Sequence, residues 1–273
     1  MTELRKVVWQ TRCSIVVQLI DAYTGGTPVG NDAVIYLEGS RQRPIQKDQG
    51  TYVFTDLPTG TYNITIQSEY YMPARKEVIV EQHSENKNAY SVTHIVLFPT
   101  PAYPVHQGAT ILRAMLRDSN GAPLSGVLVR AMMRSREASI ARLSRDATKA
   151  SDQLFISQVQ GVIAVGDQYT LQSSIQESEV TQGECQIAQI MEAQKKIKLV
   201  NPLTKAMEKG TYLLPIVQAY SDSRGELLVI FRSTRLREFE ATLRISYLDQ
   251  SIGKEVRILT GDVHQLGAIT LPK

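Results

Sequence analysis

The sequence predicts a mainly β chain: two antiparallel β-sandwiches in tandem, the second carrying a mixed α/β insertion. Three observations carry this. Short runs of alternating apolar and polar residues recur between Gly- and Pro-rich turns from residue 13 onward. The same succession of runs starts again near residue 110. Within the second half, residues of about 134–216 leave the period of two and place apolar side chains near helical spacing.

In chain order, CSIVVQLI at 13–20 is β-branched and apolar and runs into DAYTGGTPV, where Gly25, Gly26 and Pro28 mark a turn. AVIYLEG at 33–39 follows, then a polar turn around Lys47, Asp48 and Gly50, then TYVFTDLPTGTYNITIQS. In this last run Tyr62, Ile64 and Ile66 share one face while Asn63, Thr65 and Gln67 share the other, as in a half-buried strand. At its turn, Leu57 is expected in the core, Pro58 where φ is about −65°, and Gly60 where φ is positive. KEVIVE at 76–81 and SVTHIVLF at 91–98 complete a set whose spacing suggests a sandwich. FPTPAYPVHQG at 98–108 holds Pro99, Pro101 and Pro104 and reads as a stiff spacer. The expected domains are therefore 1–98, a Pro-rich linker at 99–108, and 109–273 with an insertion at about 134–216.

The second half repeats the first. TILRAMLRD at 110–118 answers SIVVQLID, SNGAPLSG answers YTGGTPVG, and VLVRAMM at 127–133 answers AVIYLEG. After the insertion, Gly225 precedes an apolar strand as Gly50 does, FEATLRISY at 239–247 answers TYNITIQSEYY, KEVRIL at 254–259 answers KEVIVE, and LGAITLP at 266–272 answers THIVLFP. Conserved order across so many elements argues for duplication. In the insertion, Ile140, Leu143, Ala147, Ala150 and Leu154 suggest one helix and Ile187, Ile190, Met191 and Ile197 another, with a strand pair in FISQVQGVIAVGDQYTL between them.

Asp21, Gly26 and Pro28, followed by Gly50, Tyr52, Phe54, Leu57, Pro58, Gly60 and Tyr62, resemble the signature of carboxypeptidase regulatory-like modules in the transthyretin-like, or prealbumin-like, sandwich superfamily. The second half keeps Asp118, Gly121, Pro123, Gly126 and Gly225 but has Arg235, Leu236 and Arg237 where Leu-Pro-x-Gly would sit. The resemblance implies two prealbumin-like sandwiches and leaves the insertion uncovered. Paired modules joined by such a Pro-rich linker also resemble structural components of phage-tail-like contractile injection particles, which implies a cap, a terminator adaptor or a baseplate accessory. Related bacterial surface modules lock themselves by a Lys–Asn amide bond. Here the opening strands lack lysine and the closing strands lack asparagine, so no such bond is expected.

Composition narrows the function. A net charge of +3 with scattered basic residues excludes a nucleic-acid footprint. Cys13 and Cys185 lie far apart and form no disulfide framework. MTELRKVVWQTRCSIVV lacks the apolar core of a secretory signal, so cytoplasmic synthesis and folding are expected, and the absence of a long apolar run argues against membrane insertion. His83, His94, His106 and His264 have no partners at metal spacing, Asp56 and Glu69 form no visible acid pair, and no nucleophile elbow, phosphate loop or dinucleotide fingerprint occurs. The expectation is a non-enzymatic structural or adaptor protein without metal or cofactor, whose partners are other protein subunits, compatible with a homo-oligomer or a ring around a particle. Candidate interface residues are Tyr70, Tyr71 and Met72 in EYYMP, and Ile187, Ile190, Met191 and Ile197 in the insertion. The alternative is a carbohydrate- or protein-binding accessory module acting through sandwich loops. Such modules favour exposed aromatic platforms, and the single tryptophan, Trp9, precedes the first strand.

Overall fold

The computed structural model describes residues 11–30, 32–47, 50–81, 92–173, 182–192, 195–232 and 234–272; Trp9, Asp48 and His83 lie outside them. The fold is mainly β. Among the described residues there is no α-helix; a 3-10 turn spans Arg136–Ala138.

Seven strands build the first lobe: β1 (Cys13–Asp21), β2 (Val34–Leu37), β3 (Ile45–Gln46), β4 (Thr51–Thr55), β5 (Gly60–Gln67), β6 (Ala74–Val80) and β7 (Val92–Leu97). They form two sheets, ordered β3-β4-β1-β7 and β2-β5-β6, with β1 antiparallel to β4 and parallel to β7. Alternation decides what each strand buries: Val17 and Leu19 from β1, Phe54 from β4, Ile64 and Ile66 from β5 and Leu97 from β7 meet in one apolar cluster. The DLPTG turn differs from expectation. Its left-handed residue is Asp56, with φ 53°, whereas Gly60 already pairs with Val80 as the first residue of β5. Asp56 tolerates this because a short polar side chain can hydrogen-bond locally, and its Oδ1 accepts the Arg12 N–H at 2.8 Å. Leu57 is half-buried against the core.

The Pro-rich segment is folded onto this lobe. Pro99 bridges Tyr71, the Thr100 N–H donates to the Tyr70 carbonyl at 2.9 Å, and Tyr103 is buried in the first core. The fully buried Asp21 carboxylate accepts the Tyr103 hydroxyl at 2.6 Å and the Tyr71 hydroxyl at 3.1 Å. A buried carboxylate needs such donors.

The chain continues as β8 (Thr110–Asp118) and β9 (Leu128–Met133), then leaves as β10 (Ala141–Leu143), β11 (Gln153–Ser157), β12 (Gln168–Gln172), β13 (Gln182–Met191) and β14 (Lys196–Leu199). It returns as β15 (Tyr212–Tyr220), followed by β16 (Glu226–Phe231), β17 (Glu238–Tyr247), β18 (Gln250–Leu259) and β19 (Val263–Leu271). In the second lobe β8 is antiparallel to β16 and parallel to β19, the arrangement β1 has with β4 and β7. Local bonds match too: the Leu19 N–H donates to the Gly50 carbonyl and the Leu116 N–H to the Gly225 carbonyl, at 3.1 and 2.7 Å. Gly225 has φ 76°, and a Cβ there would run into the Leu116 carbonyl oxygen.

The two helices expected in the insertion are not formed. Strands β10, β11, β14, β13, β12 and the first half of β15 pair antiparallel in that order, and β10 pairs back to β15, closing a six-stranded barrel. Its interior holds Leu143, Leu154, Ile156, Ile187, Ile197 and Leu213. The helical spacing had a different cause. A register shift between Ile187 and Gln189 in β13 resets the period of two, so Ile187 and Ile190 both pack on the barrel core three residues apart. In the earlier segment, Leu143 ends β10 while Ala147 belongs to an isolated bridge with Met207, so the spacing spans a strand and a turn. Cys185 is buried on β13.

Strand β15 belongs to both units. Residues 212–216 pair with β12 of the barrel, and 216–220 pair with β9 of the second lobe. Pro215 falls where the neighbour on one side changes from β10 to β9, a place where a missing N–H costs least. After Glu226, the run LLVIF in β16 is apolar throughout because both faces are covered. Leu227, Val229 and Phe231 enter the second core, while Leu228 and Ile230 enter the first.

Candidate functional site

The first lobe, second lobe and barrel meet at Arg232, immediately after β16. Its guanidinium donates from Nη1 and Nη2 to the two Asp167 carboxylate oxygens, both at 2.7 Å. Nε donates to the Tyr23 carbonyl at 2.6 Å, Nη2 also to the Ala22 carbonyl at 3.0 Å, and Nη1 also to the Val162 carbonyl at 3.1 Å. All five N–H bonds of the fork are engaged, across three parts of the fold. Asp167 is held from the barrel side by the Tyr169 hydroxyl at 2.9 Å and the Ala164 N–H at 2.8 Å. Burial opposes the charge on Arg232, but the Asp167 carboxylate outweighs it and the guanidinium pKa is raised. Burial and then Asp167 push the Tyr169 hydroxyl well above the usual phenol range.

Gly166 lets the barrel loop come this close. It has φ 90°, and a Cβ would overlap the Val96 side chain of β7. On the other side Phe98 and Tyr220 stack edge to face with centroids 5.1 Å apart.

Beside this seam opens a cleft of about 350 Å³, walled by Val96 and Phe98 of the first lobe, Leu228 and Ile230 of β16, Met133 and Val217 of the second lobe, and Ile140 and Val162 of the barrel. Gln160, Gln218, Glu137 and Arg235 stand among its polar lining. Arg232 and Asp167 also line it, yet they are saturated by one another and by backbone groups. The arrangement offers apolar contact and hydrogen-bonding amides, with no nucleophile activated by a neighbouring base.

Among the described residues no group of three or more His, Cys, Asp and Glu side chains is placed to hold a metal. His94 is exposed on β7, the His106 ring shares a hydrogen bond of 2.8 Å with the Tyr23 hydroxyl, and His264 lies against the Leu259 backbone. Of the interface residues inferred from sequence, Tyr71, Ile187 and Ile197 are corrected: all three are core residues. Tyr71 was drawn inward by Asp21, and the isoleucines fill the barrel. Tyr70, Met72, Ile190 and Met191 are half-buried, and none of the seven lines the cleft. The seam residues Arg232, Asp167 and Tyr169 were not singled out. The one available signal was an arginine ending a strand that is apolar on both faces.

No family model matches the chain, and no curated protein matches it. Solved structures that align with it include the shaft pilin SpaA of Lactobacillus rhamnosus GG, at 10% identity over 96% of this chain and 98% of that one, with a TM-score of 0.23. BcpA, the major pilin subunit of Bacillus cereus, aligns at 11% identity over 93% and 69%, with a TM-score of 0.26. The Bacillus anthracis TIE protein aligns at 9% identity over 97% of this chain and 51% of its own length, with a TM-score of 0.26. At these TM-scores the likeness carries no residue-level correspondence. SpaA and BcpA are pilin subunits, and the expectation of a cap, terminator adaptor or baseplate accessory is withdrawn. That expectation leaned on a sandwich signature and a Pro-rich linker, which many roles share.

Proposed function

We propose that this chain is a non-catalytic structural subunit that joins other protein subunits, and that its interlobe cleft receives an apolar segment of a neighbour. The observation that carries this is the chemistry of the cleft: apolar walls converge from three parts of the fold, while its strongest polar groups, Arg232 and Asp167, are already satisfied. A site built for catalysis keeps its charged groups available to a reacting centre. A site built for docking combines apolar surface with a few orienting amides, which Gln160 and Gln218 supply.

The two lobes are read as tandem copies of a prealbumin-like sandwich, spanning 1–98 and 109–273, with the insertion of about 134–216 in the second. Matching strand pairings support this, as do the paired turns in which Asp21 Oδ1 accepts the Tyr23 N–H and Asp118 Oδ1 accepts the Asn120 N–H. The test is a photocrosslinking residue at Val162, which is 50% exposed on the cleft wall, introduced in the native host. Docking predicts crosslinks into one defined protein subunit, lost when Ile140→Glu is added. Adducts confined to small molecules, or a pattern indifferent to Ile140→Glu in a folded protein, would refute it.

A further inference from the structure

We infer that the free edge of β18 is a self-association surface that pairs antiparallel with β18 of a second copy, about a two-fold axis at Val256. This does not depend on the cleft reading. An unpaired strand edge is a template for another strand, and folded proteins blunt such edges with bulges, brevity or a covering element. Such devices are visible at several other edges, although the edge strand β6 also pairs with β5 without a register shift. β3 has only two residues, β19 carries a register shift between Gln265 and Ala268, the Gly166 loop of the barrel lies against Val96 of β7, and the barrel is closed. Over residues 253–257 β18 has none of these; at its end the His264 ring accepts the Leu259 N–H at 2.9 Å, and the charges of Lys254, Glu255 and Arg257 are what guards the rest. The strand pairs residue for residue with β17 from Gln250 to Leu259 without a shift, it contains no proline, and its other edge has no strand partner among the described residues.

What points to a second copy is the charge order. Opposite residues in an antiparallel pair share a face, so a two-fold axis must place a residue against one of the same parity. On the outer face, alternating with core-side Lys254, Val256 and Ile258, stand exposed Glu255 and Arg257. An axis at Val256 sets Glu255 against Arg257 of the other copy twice, and Val256 against itself. Axes at Lys254, Glu255 or Arg257 set like charge on like charge. Arg257 already bonds Glu238 through Nε and Nη2, at 2.9 and 2.5 Å, so its fork is presented on this face and can bridge a second carboxylate.

The test is sedimentation equilibrium of the full chain over a wide concentration range, with circular dichroism to confirm folding of each variant. Reversible dimers are expected. Glu255→Arg should weaken dimerisation at least about tenfold, because two attractive cross-strand pairs become repulsive. Combining it with Arg257→Glu, which restores opposite signs, should recover most of the loss. In a Cys13→Ser background, Val256→Cys should form a disulfide-linked dimer under mild oxidation, and Gly253→Cys should not. A chain that stays monomeric throughout, a dimer indifferent to Glu255→Arg, or linkage through position 253 in preference to 256 overturns the proposal, including the case in which the edge serves a different protein.

Discussion

Replacing Arg232 by alanine should loosen the junction of the three units more than any other single surface-accessible change. The side chain is 26% exposed and its partner Asp167 13%, so the pair is neither fully buried nor freely solvated. Alanine removes five donated bonds, two of them to a carboxylate. Added bond by bond, the loss approaches ~7 kcal/mol, taking about 1 for a neutral bond and about 2 for a charged one. Two effects reduce it: water from the adjoining cleft solvates the released carbonyls, and about 2 kcal/mol of arginine rotamer entropy is no longer lost on folding. Asp167 also keeps the Tyr169 hydroxyl and the Ala164 N–H. The expected net cost is ~3 kcal/mol, well above that of an exposed ion pair. Urea unfolding followed by far-ultraviolet circular dichroism and by tyrosine fluorescence measures it. The midpoint should fall, and the two probes should separate as the units uncouple. Arg232→Lys should recover less than half of the loss, since an ammonium cannot reproduce the planar fork. A cycle with Asp167→Asn should show ~1–3 kcal/mol of coupling. Loss of under ~1 kcal/mol for the alanine variant, with coincident probes, would refute the view that this arginine ties the units together.

Tyr103→Phe removes one hydroxyl donor from the buried Asp21 carboxylate and should cost ~1–3 kcal/mol, measured by the same urea titration, whereas Tyr62→Phe, whose exposed hydroxyl bonds the Pro58 carbonyl, should cost under ~1. Gly166→Ala should destabilise the seam by ~2 kcal/mol or more, from positive φ and overlap with Val96, and Val96→Ala should rescue part of that. Alkaline pH should destabilise the fold. Burial, and then the Asp21 and Asp167 carboxylates, raise the Tyr71, Tyr103 and Tyr169 hydroxyls, and burial pushes the Cys185 thiol up to about 12. Each of these groups is raised in the folded state, so its contribution is whole below the unfolded pKa and is lost as pH rises toward the folded one. Stability should therefore decline from about pH 9 upward, and a flat profile between pH 8 and 11 in urea melts would contradict it. Intact mass should equal the calculated value, without the loss of one ammonia that a Lys–Asn amide bond would bring.

Periodicity of two was the readable part of this sequence, because it reports which side of a pleated ribbon faces the core, and in β4, β5 and β17 that alternation is undisturbed. Where the ribbon is interrupted the signal misleads. In β13 one extra residue at the bulge imitates a helical step, and around β10 a strand followed by a turn does the same. Of the interface candidates chosen for their chemical type, Tyr71 went to the core for a related reason: a tyrosine's exposure depends on whether a buried acceptor such as Asp21 claims its hydroxyl, which neighbouring sequence does not report. The seam was invisible because its members come from residues 22–23, 162–167 and 232, and only the folded path brings them together.

The way the barrel is attached explains why the seam can matter. An insertion placed in a surface loop hangs by two chain ends and can tilt. Here the chain leaves at the end of β9 and returns along β15, a single strand whose two halves belong to different units. A continuous strand fixes the direction of the barrel but leaves rotation about its own axis. A second contact away from that axis is needed to remove it, and Arg232 supplies one, gripping the barrel loop at Val162 and Asp167 while bonding the turn after β1. The cleft lies between the shared strand and this clamp, so its walls hold their spacing only while both attachments hold. A neighbour that inserts apolar side chains there would bind a preorganised surface and lose little in ordering it.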